Sequence, residues 1–120
     1  MIEDEELIRE SIIYLLEVRG FMVINTAEGY NEVRLAKELI PDLILCDIRL
    51  PGLNGYQVLR VVRADPMTAN IPLIFLTAQM SLADLEQSQN LAVNGYLAKP
   101  FTTAALLKVI SDCLNKGTER

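Results

Sequence analysis

Apolar positions along the chain switch between two spacings, and the switching predicts alternating helices and strands. Over residues 5–19, Ile8, Ile12, Leu15 and Leu16 recur at helical intervals. Glu5 and Glu6 fall in the first turn, where the helix dipole favours acids. Gly20 follows as a stop. Residues 21–24 are short and apolar, bounded by Gly20 and Asn25, as suits a buried strand. Helical spacing resumes over 32–40 through Val33, Ala36, Leu39 and Ile40, with Pro41 just past its end. Residues 43–46 make a second apolar strand, followed at once by Asp47, and Pro51-Gly52-Leu53-Asn54-Gly55 is dense turn chemistry. Val58, Leu59, Val61 and Val62 form a stripe that stops near Asp65-Pro66. A strand over 72–76, a weakly amphipathic helix over 82–92 and a short strand over 96–98 come next. A helix over 102–114 closes the series, with Thr102 or Thr103 as its N-cap. Residues 115–120 are polar, a frayed end or the start of a linker.

Helices alternating with strands that are apolar on both faces imply a parallel sheet covered on both sides. In such sheets, ligands bind beyond the carboxyl ends of the strands. The informative residues are therefore Glu3-Asp4, Asn25-Thr26, Asp47, Thr77-Ala78 and Lys99-Pro100. The first strand is the anomaly: only Met1-Ile2 precede the acids, so it is short or truncated.

Composition narrows the function. With 120 residues the chain is one domain in size, and 51% apolar residues suffice for a core without metal or disulfide staples. Sixteen acids against eleven bases give a net charge of −5, which argues against a nucleic-acid or anionic-membrane surface. The longest apolar runs are too short to span a bilayer, and no basic, apolar leader opens the chain. Two cysteines, Cys46 and Cys113, with no histidine exclude a zinc-finger ligand set and a Ser-His-Asp triad. A reduced, cytoplasmic, single-domain protein is expected.

Carboxylates gathered at one strand edge repel one another by about 4 kcal/mol per close pair at an effective dielectric of 20. Such a site raises carboxyl pKa values or recruits a hard cation, and Mg²⁺ prefers oxygen ligands while keeping several waters. A lysine and a threonine facing the cation are what a phosphoryl group needs, and Asp47 is then the candidate nucleophile. Plainer roles stand beside these. Glu3 and Asp4 are also good caps for the first helix, and Thr77 and Lys99 would be ordinary surface residues away from strand ends. Tyr96 has the look of a packing aromatic, and Cys46 that of a small buried apolar side chain. Cys113 is expected to face the core.

Taken together and in order, several segments resemble the response-regulator receiver domain of two-component signal transduction. They are Glu3-Asp4, the run from Leu43 to Gly52, Leu76-Thr77-Ala78, and Tyr96-Leu97-Ala98-Lys99-Pro100-Phe101. The resemblance covers essentially the whole chain. It implies a flavodoxin-like α/β fold: one doubly wound, five-stranded parallel sheet in the order 2-1-3-4-5 with five helices. It implies that Asp47 accepts a phosphoryl group from a sensor histidine kinase or phosphotransfer protein and loses it slowly by autodephosphorylation. Glu3, Asp4, Asp47 and the backbone carbonyl of Arg49 would hold Mg²⁺ or Mn²⁺, with Glu3 acting through water. Thr77 and Lys99 would contact the phosphoryl oxygens, and Tyr96 would turn inward when Thr77 is drawn to the phosphate. Arg49 and Gln79 are the candidates for tuning the rate. A cis peptide is implied at Lys99-Pro100. Asn54 departs from the family's usual aspartate, and Ala92-Val93 from its Gly-Ala pair, which leaves loop shape open and not the chemistry.

Other readings of the same fold fit less well. An aspartate-nucleophile phosphohydrolase wants a second acid two residues after the nucleophile, where this chain has Arg49. An FMN carrier needs a phosphate loop after the first strand, where this chain has Glu3-Asp4-Glu5-Glu6. A degenerate receiver serving only as an interaction module would not need the set Asp4, Asp47, Thr77 and Lys99. The expected output is a downstream effector protein or a fused output domain, with no direct nucleic-acid or membrane contact. Sparse charge around Asp84, Glu86, Lys108, Asp112 and Lys116 points to a monomer or weak dimer.

Overall fold

The computed structural model describes residues 5–26, 28–48, 51–77, 93–98 and 101–118. In chain order these form α1 (Glu5–Val18), β1 (Val23–Ile24), α2 (Gly29–Leu39), β2 (Leu43–Asp47), α3 (Gly55–Ala64), β3 (Leu73–Thr77), β4 (Gly95–Ala98) and α4 (Thr103–Thr118). The four strands are parallel and lie in the order β1-β2-β3-β4. That is the expected order with the first strand left out. Met1 and Ile2, the expected first strand, lie outside the described residues, as does the expected helix over 82–92. β1 bonds directly to β2, pairing Val23 with Leu43 and Ile24 with Ile44, so the expected central position between them is closed.

The strands split the core by alternation. Leu43, Leu45, Ile74 and Leu76 face one side, where they meet Ile8, Ile12 and Leu16 of α1 and Leu106, Ile110 and Cys113 of α4. Ile44, Cys46, Leu73 and Phe75 face the other, against Ala36 of α2 and Val58, Leu59 and Val62 of α3. Burying each such aliphatic side chain is worth ~1.5–3 kcal/mol. This is the two-sided burial that the unbroken apolar runs predict.

The ends of the elements have local causes. Gly20, at φ 93°, turns the chain out of α1, as a C-terminal glycine should. α2 stops at Ile40, held left-handed at φ 45° with its N–H on the Ala36 carbonyl at 3.0 Å, just before Pro41. α2 begins three residues earlier than the apolar spacing predicts, because its first turn, Gly29 to Asn31, carries no apolar stripe. α4 likewise runs on to Thr118, past the apolar stripe that ends at Leu114. Asn54 opens α3 with a capping box: its side chain accepts from the Gln57 N–H at 3.0 Å, and the Gln57 side chain accepts from the Asn54 N–H at 2.9 Å. The loop shape left open by Asn54 is therefore that of a well-capped helix start.

Candidate functional site

The carboxyl ends of the strands place the site. Asp47 is the last residue of β2 and pairs with Leu76, while Thr77, the next residue of β3, pairs with Ala98 of β4. Alternation along β2 turns Leu45 into the α1–α4 core and Cys46 into the other, which leaves Asp47 at the rim with 22% of its side chain exposed. The chain leaving β2 is anchored at once: Gly55 donates to the Ile48 carbonyl at 2.7 Å. A Cβ on Gly55 would lie 2.8 Å from both the Asp47 carbonyl oxygen and the Ile48 Cα, so only glycine lets α3 start this close to Asp47.

Across from it stands Arg9 of α1, beside the buried stripe of Ile8 and Ile12. Its guanidinium Nη1 reaches Asp47 Oδ2 at 3.4 Å, with only 13% of the arginine side chain exposed. Among the described residues the Arg9 Nε is buried with no hydrogen-bond partner. A guanidinium drawn this far out of water, with one long contact and one unmet donor, is short of acceptors.

A second buried charge lies on the β1–α2 side. Glu32 of α2 is fully buried, and its Oε2 lies 2.8 Å from the Thr26 N–H and 2.7 Å from Thr26 Oγ1. Thr26 Oγ1 is also 2.9 Å from the Glu28 carbonyl oxygen. A hydroxyl has one proton to give, so an ionised Glu32 would compete with the Glu28 carbonyl for it. A protonated Glu32 would remove that competition, because its own O–H would donate to Thr26 Oγ1, which then donates to Glu28; its Oε1 stays buried with no partner among the described residues. This carboxyl is raised to about 7 in all: burial lifts it, the Thr26 hydrogen bonds hold the rise back, and the nearby charge of Asp47 adds to it. Burial also pushes the Cys46 thiol well up, with Glu32 and Asp47 adding their charge, so it stays protonated. Cys46 is thus the small, inert core residue expected, and Cys113 lies in the other core.

Of the residues singled out in the sequence, Asp47, the backbone of Thr77, and Tyr96 fall within the described residues. Asp47 and Thr77 end adjacent strands at one edge; Tyr96, across from Phe75, is 39% exposed. Glu3, Asp4, Arg49, Gln79 and Lys99 lie outside the described residues, as does the Lys99-Pro100 peptide. Among the described residues no three His, Cys, Asp or Glu side chains gather as a metal cluster. Arg9 and Glu32 are the residues that sequence reasoning missed. Arg9 carries no motif, and its contact spans 38 residues. Glu32 has a faint signal: it lies four residues before Ala36, on the face that α2 buries.

A family model for the response regulator receiver domain matches residues 1–111. The chain belongs to this family. A receiver domain is a phosphorylation-based switch of two-component signalling. This receiver domain is 32% identical over 116 residues to the phosphate regulon transcriptional regulatory protein PhoB of Escherichia coli, covering 97% of this chain and 51% of that one. It thus spans about half the length of the curated relatives it matches. A putative response regulator from Chloroflexus aurantiacus superposes with a TM-score of 0.77 at 30% identity, over 95% of this chain and 93% of that one. The receiver domain of the sensor histidine kinase PA1611 from Pseudomonas aeruginosa, solved with magnesium coordinated in its active-site cleft, gives 0.74 at 35% identity with the same coverage. No helix among the described residues is long and apolar enough to cross a membrane.

Proposed function

We propose that Asp47 is the phosphoacceptor of this receiver domain, and that the observation carrying the reading is its place at the carboxyl end of β2, beside Thr77 and facing a buried cation. A carboxylate oxygen of Asp47 attacks phosphorus and forms the new O–P bond. The bond from phosphorus to the donor, a histidine nitrogen of a sensor kinase or phosphotransfer protein, breaks, and the nitrogen keeps the electron pair. In autodephosphorylation water attacks phosphorus and the Asp47 carboxylate leaves. Thr77 donates a hydrogen bond to a phosphoryl oxygen, Lys99 balances its charge, and Tyr96 follows Thr77 as the readout. Arg49 and Gln79 are the residues we assign to tuning the lifetime.

The donor chemistry fits Mg²⁺ or Mn²⁺: a hard, partly exposed carboxylate at the sheet edge is the oxygen ligand that such ions take. Asp47, Asp4 and the Arg49 carbonyl would hold it, with Glu3 through water. When bound, it would neutralise charge between the carboxylate and the incoming phosphoryl oxygens. The donor is a protein, and α1 offers it an apolar face: Leu7, Tyr14, Leu15 and Val18 are 50–66% exposed. With sixteen acids to eleven bases, this domain contacts protein and leaves nucleic acid to any other part of a longer regulator. It works in the cytoplasm as a monomer or weak dimer, passing its signal to an effector protein or a fused output domain. Incubation with acetyl phosphate and Mg²⁺ should add one phosphoryl group by intact mass and none to Asp47→Asn. An equal adduct on the Asn variant would move the acceptor elsewhere.

A further inference from the structure

We infer that Arg9 is a phosphoryl-binding residue of this domain: its guanidinium, which faces Asp47 before phosphorylation, takes phosphoryl oxygens once that carboxylate is modified. The inference rests on the reading of Asp47 as phosphoacceptor.

Three observations carry it. Arg9 Nη1 lies 3.4 Å from Asp47 Oδ2, so the guanidinium touches the reacting group itself. The side chain is only 13% exposed, so its charge acts through little water. Its Nε is buried with no acceptor among the described residues. A buried N–H without a partner is rare in folded proteins and needs an explanation, such as a ligand not yet bound. A carboxylate offers Arg9 one negative charge and a single long contact. The phosphorylated side chain offers close to two charges and three more acceptor oxygens, which suits the planar, forked geometry of guanidinium. Among the described residues Arg9 makes no other ion pair that would compete. α1 is thereby tied to the phosphorylation state: the same helix that carries Arg9 packs Ile8, Ile12 and Leu16 into the core shared with α4.

Beryllium fluoride with magnesium chloride, a stable mimic of the phosphoryl group on a carboxylate, supplies the test. Wild type, Arg9→Lys and Arg9→Gln are titrated with it at saturating Mg²⁺ and followed by fluorine NMR. Arg9→Gln should weaken the apparent affinity about tenfold, the worth of one charge-assisted hydrogen bond. It should also shift at least one bound fluorine resonance, and Arg9→Lys should fall between it and wild type. A merely structural Arg9 would alter thermal stability and leave affinity and fluorine shifts alone, which would overturn the inference. Should Arg9→Gln fail to fold, the arginine Nε–H resonance of the wild type decides. A downfield move on adding beryllium fluoride supports the contact, and an unmoved resonance overturns it. Failure of the wild type to bind, or equal binding by Asp47→Asn, would overturn the phosphoacceptor reading itself. Asp47-dependent binding that ignores Arg9 would overturn this inference alone.

Discussion

Glu32→Gln isolates the buried carboxyl on α2. Glutamine keeps the size and removes the titrating proton, and with its carbonyl oxygen in the place of Oε2 it still accepts from the Thr26 N–H. The native Glu32 carboxyl is raised from 4.5 to about 7, chiefly by burial. Between those values the folded protein keeps a proton that the unfolded chain releases, so stability falls as pH rises through the window. At about 1.4 kcal/mol for each pH unit, the whole window amounts to about 3 kcal/mol. That contribution is fully present below pH 4.5 and gone above about pH 7. Glutamine has no proton to lose, so its variant should match wild type near pH 4.5 and be more stable by up to about 3 kcal/mol at pH 8. Other titrating groups are common to both proteins and cancel in the difference. Urea unfolding, followed by far-ultraviolet circular dichroism at half-unit steps of pH, yields the difference curve. Two parallel curves would show that Glu32 does not titrate in this window. A wild type that gains on the variant with rising pH would show an ionised, well-solvated carboxylate and refute the proton chain through Thr26.

Removal of the α3 cap is a simpler perturbation: Asn54→Ala should cost about 1 kcal/mol in urea unfolding, while Asn54→Asp stays near wild type because either side chain caps Gln57 N–H. Loss of both variants' stability alike would mean that the contact with Gln57 is not what Asn54 supplies. Arg49→Ala should change the lifetime of the phosphorylated state severalfold with the fold unaltered, and identical decay in both proteins would return Arg49 to the solvated surface.

The fold was legible because two-sided burial writes itself into the sequence as unbroken apolar runs: Leu43 to Cys46 reads as a strand with both faces covered, and it is. Element ends were less legible where they depend on backbone bonding and not on apolar spacing, as at Gly29 and beyond Leu114. Asp47 was legible as a candidate because it directly follows an apolar strand, a position that topology turns into an edge. Asn54 was readable in hindsight as an Asn-x-x-Gln capping box. Arg9 and Glu32 were not. An arginine on a helix reads as solvated surface, and only the packing of α1 against the sheet brings it to a residue 38 positions away. A glutamate in a first turn reads as a dipole partner, and only the path of the β1–α2 loop buries it under Thr26.

The central claim is that Asp47 carries the phosphoryl group, and an acyl phosphate can be trapped where it forms. Borohydride reduces such a linkage to the alcohol, turning the modified aspartate into homoserine, which peptide mass mapping locates to a single residue. After treatment with acetyl phosphate and Mg²⁺, homoserine is predicted at position 47 and nowhere else. Homoserine at Asp4, at Asp42 or at any other acid, with Asp47 intact, would contradict the account.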